Sequence, residues 1–367
     1  MTDINTLPHE LHASEPAALK VAVVLNGNAR AVSDALIRDV RMAINQERLY
    51  VSRSLEQWKF IARRIVNKGY DVVLLGGGDG TFAQCVTDIM ALKPAQVPTF
   101  GVLRLGTGNG MASALGVSKP NLRGLTTELR RARQSAARQS LPMLRVEGKL
   151  TPFTGIGWDS MILEDYNIVK RTFRGTPLEN MMQGGPGYAS AIAFRSIGKA
   201  IFQADPKLVI RNEGAAAPRV TIHGEPTGEV VPRGGILYSG PATIAACSTV
   251  PYYGLGLKLF PHALRRVDRF ALRVAKVPVG RVLPRLPSLF AGELEDEGLH
   301  DYLCTAVSYH LDKPTPLQIG GDEVGRRTSV NVSMTHIPVI WGDAPRPGEA
   351  PVASILDLDA FRKALDL

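Results

Sequence analysis

The chain of 367 residues predicts an α/β plus β architecture: an N-terminal three-layer α/β/α domain on a mostly parallel sheet, then a β-rich, sandwich-like domain, with a cleft between them. Three observations predict it. Short, wholly apolar runs alternate with helix-period segments over the first 120 residues. Each of those runs ends in a loop rich in Gly or Asn. From Leu144 onward the pattern changes to short alternating or apolar runs broken by Gly and Pro, the signature of consecutive strands. The expected division is a flexible leader over 1–18, the α/β domain over 19–143, the β-rich domain over 144–330, and a C-terminal segment over 331–367 that packs back on the first domain.

Residues 21–25 (VAVVL) read as a strand ending at Asn26-Gly27-Asn28. Residues 33–44 have helical spacing, with Ser33 or Asp34 as N-cap, because a short polar side chain there can accept an orphan backbone N–H. Residues 55–66 put Leu55, Trp58, Ile61, Ala62 and Ile65 on one face of an amphipathic helix. Residues 72–75 form the next strand and run into GGGDGT, residues 82–90 the helix after it, and residues 99–103 a third strand before Gly106-Thr107-Gly108-Asn109. A last helix is expected over 122–138, with Leu122, Leu125, Leu129, Ala132 and Ala136 on one stripe. Its opposite side carries Arg123, Arg130, Arg131, Arg133 and Arg138, a solvated face or one that meets an anionic membrane surface.

Strands apolar throughout and separated by helices indicate a parallel sheet covered on both faces. In such sheets ligands bind at the carboxyl ends of the strands. The loops NGNA, GGGDGT and LGTGNG all fall at that end. The second half supplies the runs LRVEG, KLVIRN, PRVTIHG, ATIAACS, FALRVAK and TAVSYHL, with one helical interval at 187–202. After Ile340 a Pro-rich bend leads to a short helix at 354–365 that needs a surface to dock on.

Bulk properties exclude several function classes. A composition of 45% hydrophobic and 21% charged residues is that of a globular protein. The first twenty residues lack the basic and apolar regions of a secretory signal. The long uncharged stretch 234–257 contains Pro241, Pro251 and several glycines, so it reads as buried strands and turns and not as a spanning helix. Three scattered cysteines, Cys85, Cys247 and Cys304, fit a reduced cytoplasmic protein without disulfides or a zinc module. Any metal should therefore have oxygen ligands. The net charge of +9 favours anionic partners, while an aromatic content of 6%, with no basic strand interleaved with aromatics, argues against nucleic acid.

GGGDGT is a loop whose exposed N–H groups can converge on a phosphate. It lacks the lysine of the common P-loop and carries Asp79 among its glycines. An acid beside a polyphosphate needs an intervening cation, a ribose hydroxyl or an amide; Mg²⁺ bridging to phosphates satisfies the first. The competing reading is a turn with Asp79 as a helix N-cap.

VVLLGGGDGT followed by FGVLRLGTGNGMASALGV resembles the diacylglycerol-kinase catalytic domain family of lipid kinases, which includes sphingosine and ceramide kinases and soluble bacterial forms. Looser matches continue through FTGIGWDS (153–160), GGPGYASAI (184–192), the YYGLGLKLFPHALRRVDRFAL segment (252–272) and PLQIGGDEVG (316–325). The resemblance implies ATP- and Mg²⁺-dependent phosphorylation of a lipid hydroxyl, with the ATP site in the interdomain cleft. It places nucleotide contacts at Asn26, Gly77, Gly78, Asp79, Gly80, Thr81, Gly106, Thr107, Gly108 and Asn109, with Asp79 also toward the metal. It further implies a second-domain carboxylate as base: Asp322 in ungapped register from Gln318, or Glu323 after a one-residue slip. Asp159 follows a Gly-Ile-Gly-Trp turn, where it would orient the acceptor or cap a helix.

The chain departs from the family pattern at several points. Gly110 stands where an aspartate is usual, and Gly320 falls on the family's acid before the base. Arg104 replaces a common proline and is positioned by sequence to neutralise phosphate charge. Membrane access is expected from the stretch 265–290, where Arg265, Arg266, Arg269, Arg273, Lys276, Arg281 and Arg285 lie among Leu, Val and Phe. The expected partners are a membrane lipid substrate and an anionic membrane surface, in the cytoplasm and peripheral to the membrane; a homodimer is compatible with the sequence. The alternatives are a kinase of a soluble substrate, of the NAD kinase or phosphofructokinase type, or a non-catalytic lipid-binding homologue.

Overall fold

The computed structural model describes residues 19–44, 48–106, 109–134, 138–158, 160–161, 205–253 and 257–345. Its first part is built from strands β1 (Val21–Asn26), β2 (Leu49–Ser52), β3 (Val72–Gly77) and β4 (Thr99–Arg104), which pair in parallel in the order β2-β1-β3-β4. Helices α1 (Asp34–Ala43), α2 (Leu55–Lys68), α3 (Asp79–Ala91), α4 (Gly110–Ala114) and α5 (Leu122–Ala132) cover both faces. Alternation along the strands decides which face each residue meets. Ala22, Val24, Val73 and Leu75 join Trp58, Ile61 and Ile65 of α2 and Phe82, Val86 and Ile89 of α3. Val21, Val23, Val72 and Leu74 join Ile37 and Val40 of α1 and Leu125 and Leu129 of α5.

The expected caps form where short polar residues precede the apolar stripes. Ser33 Oγ accepts from the Leu36 N–H and Ser54 Oγ from the Gln57 N–H, each at 3.2 Å. Two expected boundaries change. The helix expected from residue 82 begins at Asp79, because the Gly78 carbonyl already accepts from the Phe82 N–H. The helix expected to reach residue 138 ends at Ala132. Arg138 instead opens a strand, where pairing with Ile340 overrides local helical propensity.

The β-rich part adds β5 (Arg138–Val146), β6 (Lys149–Thr151), β7 (Phe153–Gly157), β8 (Lys207–Asn212), β9 (Ala217–Val220) and β10 (Pro226–Val231). It continues with β11 (Ile236–Pro241), β12 (Ile244–Ser248), β13 (Phe270–Ala275), β14 (Leu299–Cys304), β15 (Ala306–Ile319) and β16 (Asp322–Ile340). These enclose their own apolar core, including Leu144, Ile156, Ile210, Leu272, Tyr309 and Val332. The strand β16 joins the two parts. It pairs antiparallel with β15 and β5, and at Val339 it meets Phe100 of β4 in parallel. The divisions expected after residues 143 and 330 fall inside β5 and β16, so the parts share strands instead of meeting at a linker.

The basic stretch 265–290 does not form one outward-facing surface. Arg273 lies inside the β13–β14 pair, buried, and donates to Asp301 from Nε at 2.7 Å and from Nη2 at 2.8 Å. Arg269 turns its guanidinium to the carbonyls of Ala216 and Leu303. A guanidinium carries five donors, and those that meet buried acceptors are withdrawn from any lipid headgroup. Arg266 and Arg281 keep exposed side chains paired with Asp268 and Asp296, while Arg285 is half-buried and donates to Asp296 at 3.1 Å. After the short helix α6 (Val279–Val282), residues 283–290 (LPRLPSLF) form a 3-10 turn over Leu283–Arg285 and most of α7 (Leu286–Ala291). Among the described residues no helix is long and apolar enough to cross a membrane. The expected helices at 187–202 and 354–365 lie outside the described residues.

Candidate active site

Parallel pairing brings the carboxyl ends of β1, β3 and β4 side by side, with Leu25 opposite Gly76 and Gly77 opposite Arg104. At that edge Asn26 Nδ2 donates to Thr81 Oγ1 at 2.9 Å, tying the first loop to the first turn of α3. The N-cap of α3 is Gly78, which offers no side chain to its orphan N–H groups. That end of α3 thus presents amide hydrogens and the positive end of a helix dipole. The next loop approaches it backbone to backbone: a Cβ on Gly106 would lie 2.2 Å from the Gly78 Cα, so this position excludes every side chain.

Asp79 does not cap its own helix. Its Oδ2 accepts from the Gly110 N–H at 2.9 Å and its Oδ1 from the Met111 N–H at 2.8 Å. The carboxylate therefore clamps α4 against α3. Burial raises its pKa above the usual carboxylate value, opposed by the two N–H bonds and by the Arg104 guanidinium. Asn109 closes its own turn in a left-handed conformation: its Oδ1 accepts from the Gly106 N–H at 2.9 Å, and its Nδ2 donates to the Gly106 carbonyl at 2.6 Å. Gly110 sits where Asp79 and the β-rich part converge. A Cβ there would lie 3.3 Å from Asp79 Oδ2 and 3.3 Å from the Tyr252 Cβ.

The β-rich part delivers its acid through the β15–β16 hairpin. Ile319 pairs with Asp322, leaving Gly320 and Gly321 as a two-residue turn with φ of 64° and 91°. Left-handed backbone at both central positions is the hairpin geometry that favours glycine. An acid at 320 would be strained by that φ, and its Cβ would stand 2.9 Å from Thr151 Oγ1, which accounts for the departure at Gly320. Gln318 braces the turn, its Oε1 accepting from the Gly321 N–H at 2.8 Å while its Nε2 donates to the Tyr253 hydroxyl. Asp322 then lies against the first part: its Oδ2 is 3.5 Å from the position a Cβ would take on Gly80. Glu323 instead accepts the Gly325 N–H at 2.7 Å and so closes its own backbone. Burial raises the Asp322 pKa, and Lys149 of β6 opposes the rise.

The structure thus brings Asn26, Gly77, Gly78, Asp79, Gly80, Thr81, Arg104, Gly106, Asn109 and Asp322 to one edge. Thr107, Gly108 and Asp159 lie outside the described residues. Sequence reasoning missed Tyr252 and Lys149. Tyr252 precedes the Tyr-Gly step of a segment noted for its glycines, and Lys149 sits in a hairpin whose fold-back onto α3 no local pattern announces.

Residues 20–139 match the diacylglycerol kinase catalytic domain. Over 109 residues the chain is 29% identical to proteins named "Probable lipid kinase YegS" from Escherichia coli O6:K15:H31 (strain 536 / UPEC) and from Shigella flexneri. That alignment covers 29% of this chain and 35% of each relative, so the chain spans about a third of the length of the curated relatives it matches. A solved structure of a diacylglycerol kinase from Bacillus anthracis str. Sterne shares the fold, with a TM-score of 0.58 at 14% identity over 90% of this chain and 99% of that one. Domain match, loop motifs and fold agree: the family this chain resembles is that of the lipid kinases with a diacylglycerol kinase catalytic domain.

Proposed function

We propose that the protein is an ATP-dependent lipid kinase that transfers the γ-phosphoryl group to a hydroxyl of a membrane lipid of the diacylglycerol, sphingoid-base or ceramide type. One observation carries this reading: the β15–β16 turn holds Asp322 against Gly80, in the first turn of α3, which begins inside GGGDGT. A carboxylate is thereby set beside an uncapped helix N-terminus, the pairing that phosphoryl transfer to an alcohol requires.

In this reading the α3 amides and the Arg104 guanidinium bind and orient the phosphates. Asp322 accepts the proton of the acceptor hydroxyl as its oxygen bonds to the γ-phosphorus and the bond to the departing diphosphate breaks. Asp79 and Asn109 hold the two loops in place by the bonds described above. Among the described residues no three His, Cys, Asp or Glu side chains gather as a metal cage. That fits Mg²⁺, which is usually held by one or two carboxylates with water and substrate phosphates. Asp79 would be its protein ligand, since each oxygen keeps a second lone pair. The ion supplies charge neutralisation of the transferring group.

The acceptor lies in a bilayer, and the exposed side chains of Arg266 and Arg281, paired with Asp268 and Asp296, support a peripheral cytoplasmic approach to an anionic surface. The test is a panel of diacylglycerol, monoacylglycerol, sphingoid base and ceramide in vesicles with ATP and Mg²⁺, products read by mass spectrometry. NAD and fructose 6-phosphate serve as soluble acceptors and Asp79→Ala as control. A phosphorylated lipid lost in Asp79→Ala is the expected result. Phosphorylation of a soluble acceptor alone, or of nothing, overturns the proposal.

A further inference from the structure

Two departures from the family pattern, Arg104 and Gly110, meet in space. Arg104 ends β4, and its guanidinium acts electrostatically on both Asp79 and the Tyr252 phenol. Gly110 lies between Asp79 and Tyr252: a Cβ there would be 3.3 Å from an Asp79 oxygen and from the Tyr252 Cβ, a tight fit that its absence relieves. Tyr252 comes from the β-rich part, yet it packs against the core that α3 and α4 share. Neither the Arg104 guanidinium nor the Tyr252 hydroxyl has a hydrogen bond or ion pair among the described residues, whereas both Asp79 oxygens are engaged. The corner therefore presents unpaired donors from both parts of the molecule around a single acid. Burial holds the Tyr252 phenol above its ordinary pKa, with Arg104 opposing, so it stays protonated and able to donate at neutral pH.

We infer that Arg104 and Tyr252 form a phosphate clamp, which Gly110 makes room for, and that this clamp binds the polyphosphate of a nucleoside triphosphate without requiring a metal ion. The inference deepens the proposed function and rests on its assignment of the donor site. An arginine brings fixed charge and planar donors to phosphate oxygens, and a carboxylate at 110 would oppose both. Tyr252 crosses from the β-rich part, so a bound triphosphate also draws the two parts together at this corner.

The experiment is ATP binding by calorimetry to the full chain, with Mg²⁺ and with EDTA, for wild type and the variants Arg104→Gln, Arg104→Lys, Tyr252→Phe and Gly110→Asp. Thermal melts establish that each variant folds. Wild type is expected to bind in EDTA within about tenfold of its affinity in Mg²⁺, given the strength of charge-assisted hydrogen bonds. Arg104→Gln should weaken metal-free binding by about 10- to 100-fold, and Tyr252→Phe by roughly 3- to 10-fold. Arg104→Lys should restore part of the loss. Gly110→Asp should make binding depend on Mg²⁺.

Wild-type binding that disappears in EDTA, or Arg104→Gln and Tyr252→Phe binding like wild type, overturns the clamp. Metal-free binding through these residues in a protein that phosphorylates no lipid upholds the clamp and removes the lipid kinase. Lipid phosphorylation indifferent to Arg104 and Tyr252 does the reverse. Wild type that binds no ATP in either buffer removes both.

Discussion

The Asp322 carboxylate oxygen stands 3.5 Å from the point where a side chain on Gly80 would begin, although 242 positions separate the two residues in the chain. This contact joins the tip of the β15–β16 hairpin to the first turn of α3. If Asp322 is the base, Asp322→Asn should lower kcat by about 10²- to 10⁴-fold with ATP affinity nearly unchanged. Glu323→Gln, at a carboxylate that accepts the Gly325 N–H within its own turn, should cost less than about tenfold. Steady-state kinetics on the best lipid acceptor, with ATP binding measured separately, decides between the two acids. A larger loss in Glu323→Gln would reverse the assignment.

The pH profile follows from the surroundings of Asp322. Burial raises its pKa, and the Lys149 ammonium pulls it down again. A base works only when ionised, so kcat should fall as pH drops through that raised value. Lys149→Met removes the opposing charge and should move the acid limb to higher pH. Lys149→Arg should leave it near the wild-type position. An acid limb unmoved in Lys149→Met would show that Lys149 does not act on the titrating group.

Asp79 has a structural duty that its place among glycines does not reveal. Replacing it with Asn leaves one acceptor oxygen for two N–H donors and turns an amide toward the other. Asp79→Asn should therefore destabilise the protein by about 1–3 kcal/mol as well as weaken nucleotide binding. Denaturant melts without nucleotide separate the two effects. Unchanged stability would contradict the clamp between α3 and α4.

His262 reports on the β-rich part. Its ring is buried: Nδ1 faces the Ile222 carbonyl at 3.3 Å, and Nε2 has no hydrogen-bond partner among the described residues. Burial lowers its pKa to about 4; Asp301 opposes the shift, while Arg273 and Arg265 add to it. A histidine with a depressed folded pKa stabilises the fold above its unfolded value of about 6.5 and loses that contribution as pH falls toward 4. The span corresponds to about 3 kcal/mol of stability lost on acidification. His262→Gln should flatten the pH dependence of denaturant midpoints between those values. An equally steep dependence in the variant would assign the acid sensitivity to other groups.

Much of the donor edge was legible in the sequence, because its determinants are local. VAVVL, VVLLGG and TFGVLR are strands wherever apolar β-formers run into glycines, and parallel pairing then aligns NGNA, GGGDGT and LGTGNG at one edge. The close approach of Gly106 to Gly78 is a requirement that a glycine announces by itself. The roles of the polar groups were not legible. Asp79 reads as a cap or a metal ligand, yet its partners are N–H groups 31 and 32 residues away. Arg273 reads as a surface cation, yet its register opposite Asp301 places it inside the sheet.

By itself the sequence determined the strands β1, β3 and β4 with the helices α1, α2, α3 and α5 between and after them, the glycine loops at the strand ends and the acids available for chemistry, since these depend on periodicity and on backbone freedom; β2 and α4 were not legible in it. Only the tertiary structure decided which acid faces the donor loops, which arginines turn inward and where the two parts meet. Those outcomes depend on hydrogen-bond partners and close approaches between segments remote in the chain. The left-handed turn at Gly320-Gly321 shows the division most plainly. Two glycines mark the turn in the sequence, but only the pairing of Ile319 with Asp322 and the packing of Gly320 on Thr151 carry the carboxylate to Gly80.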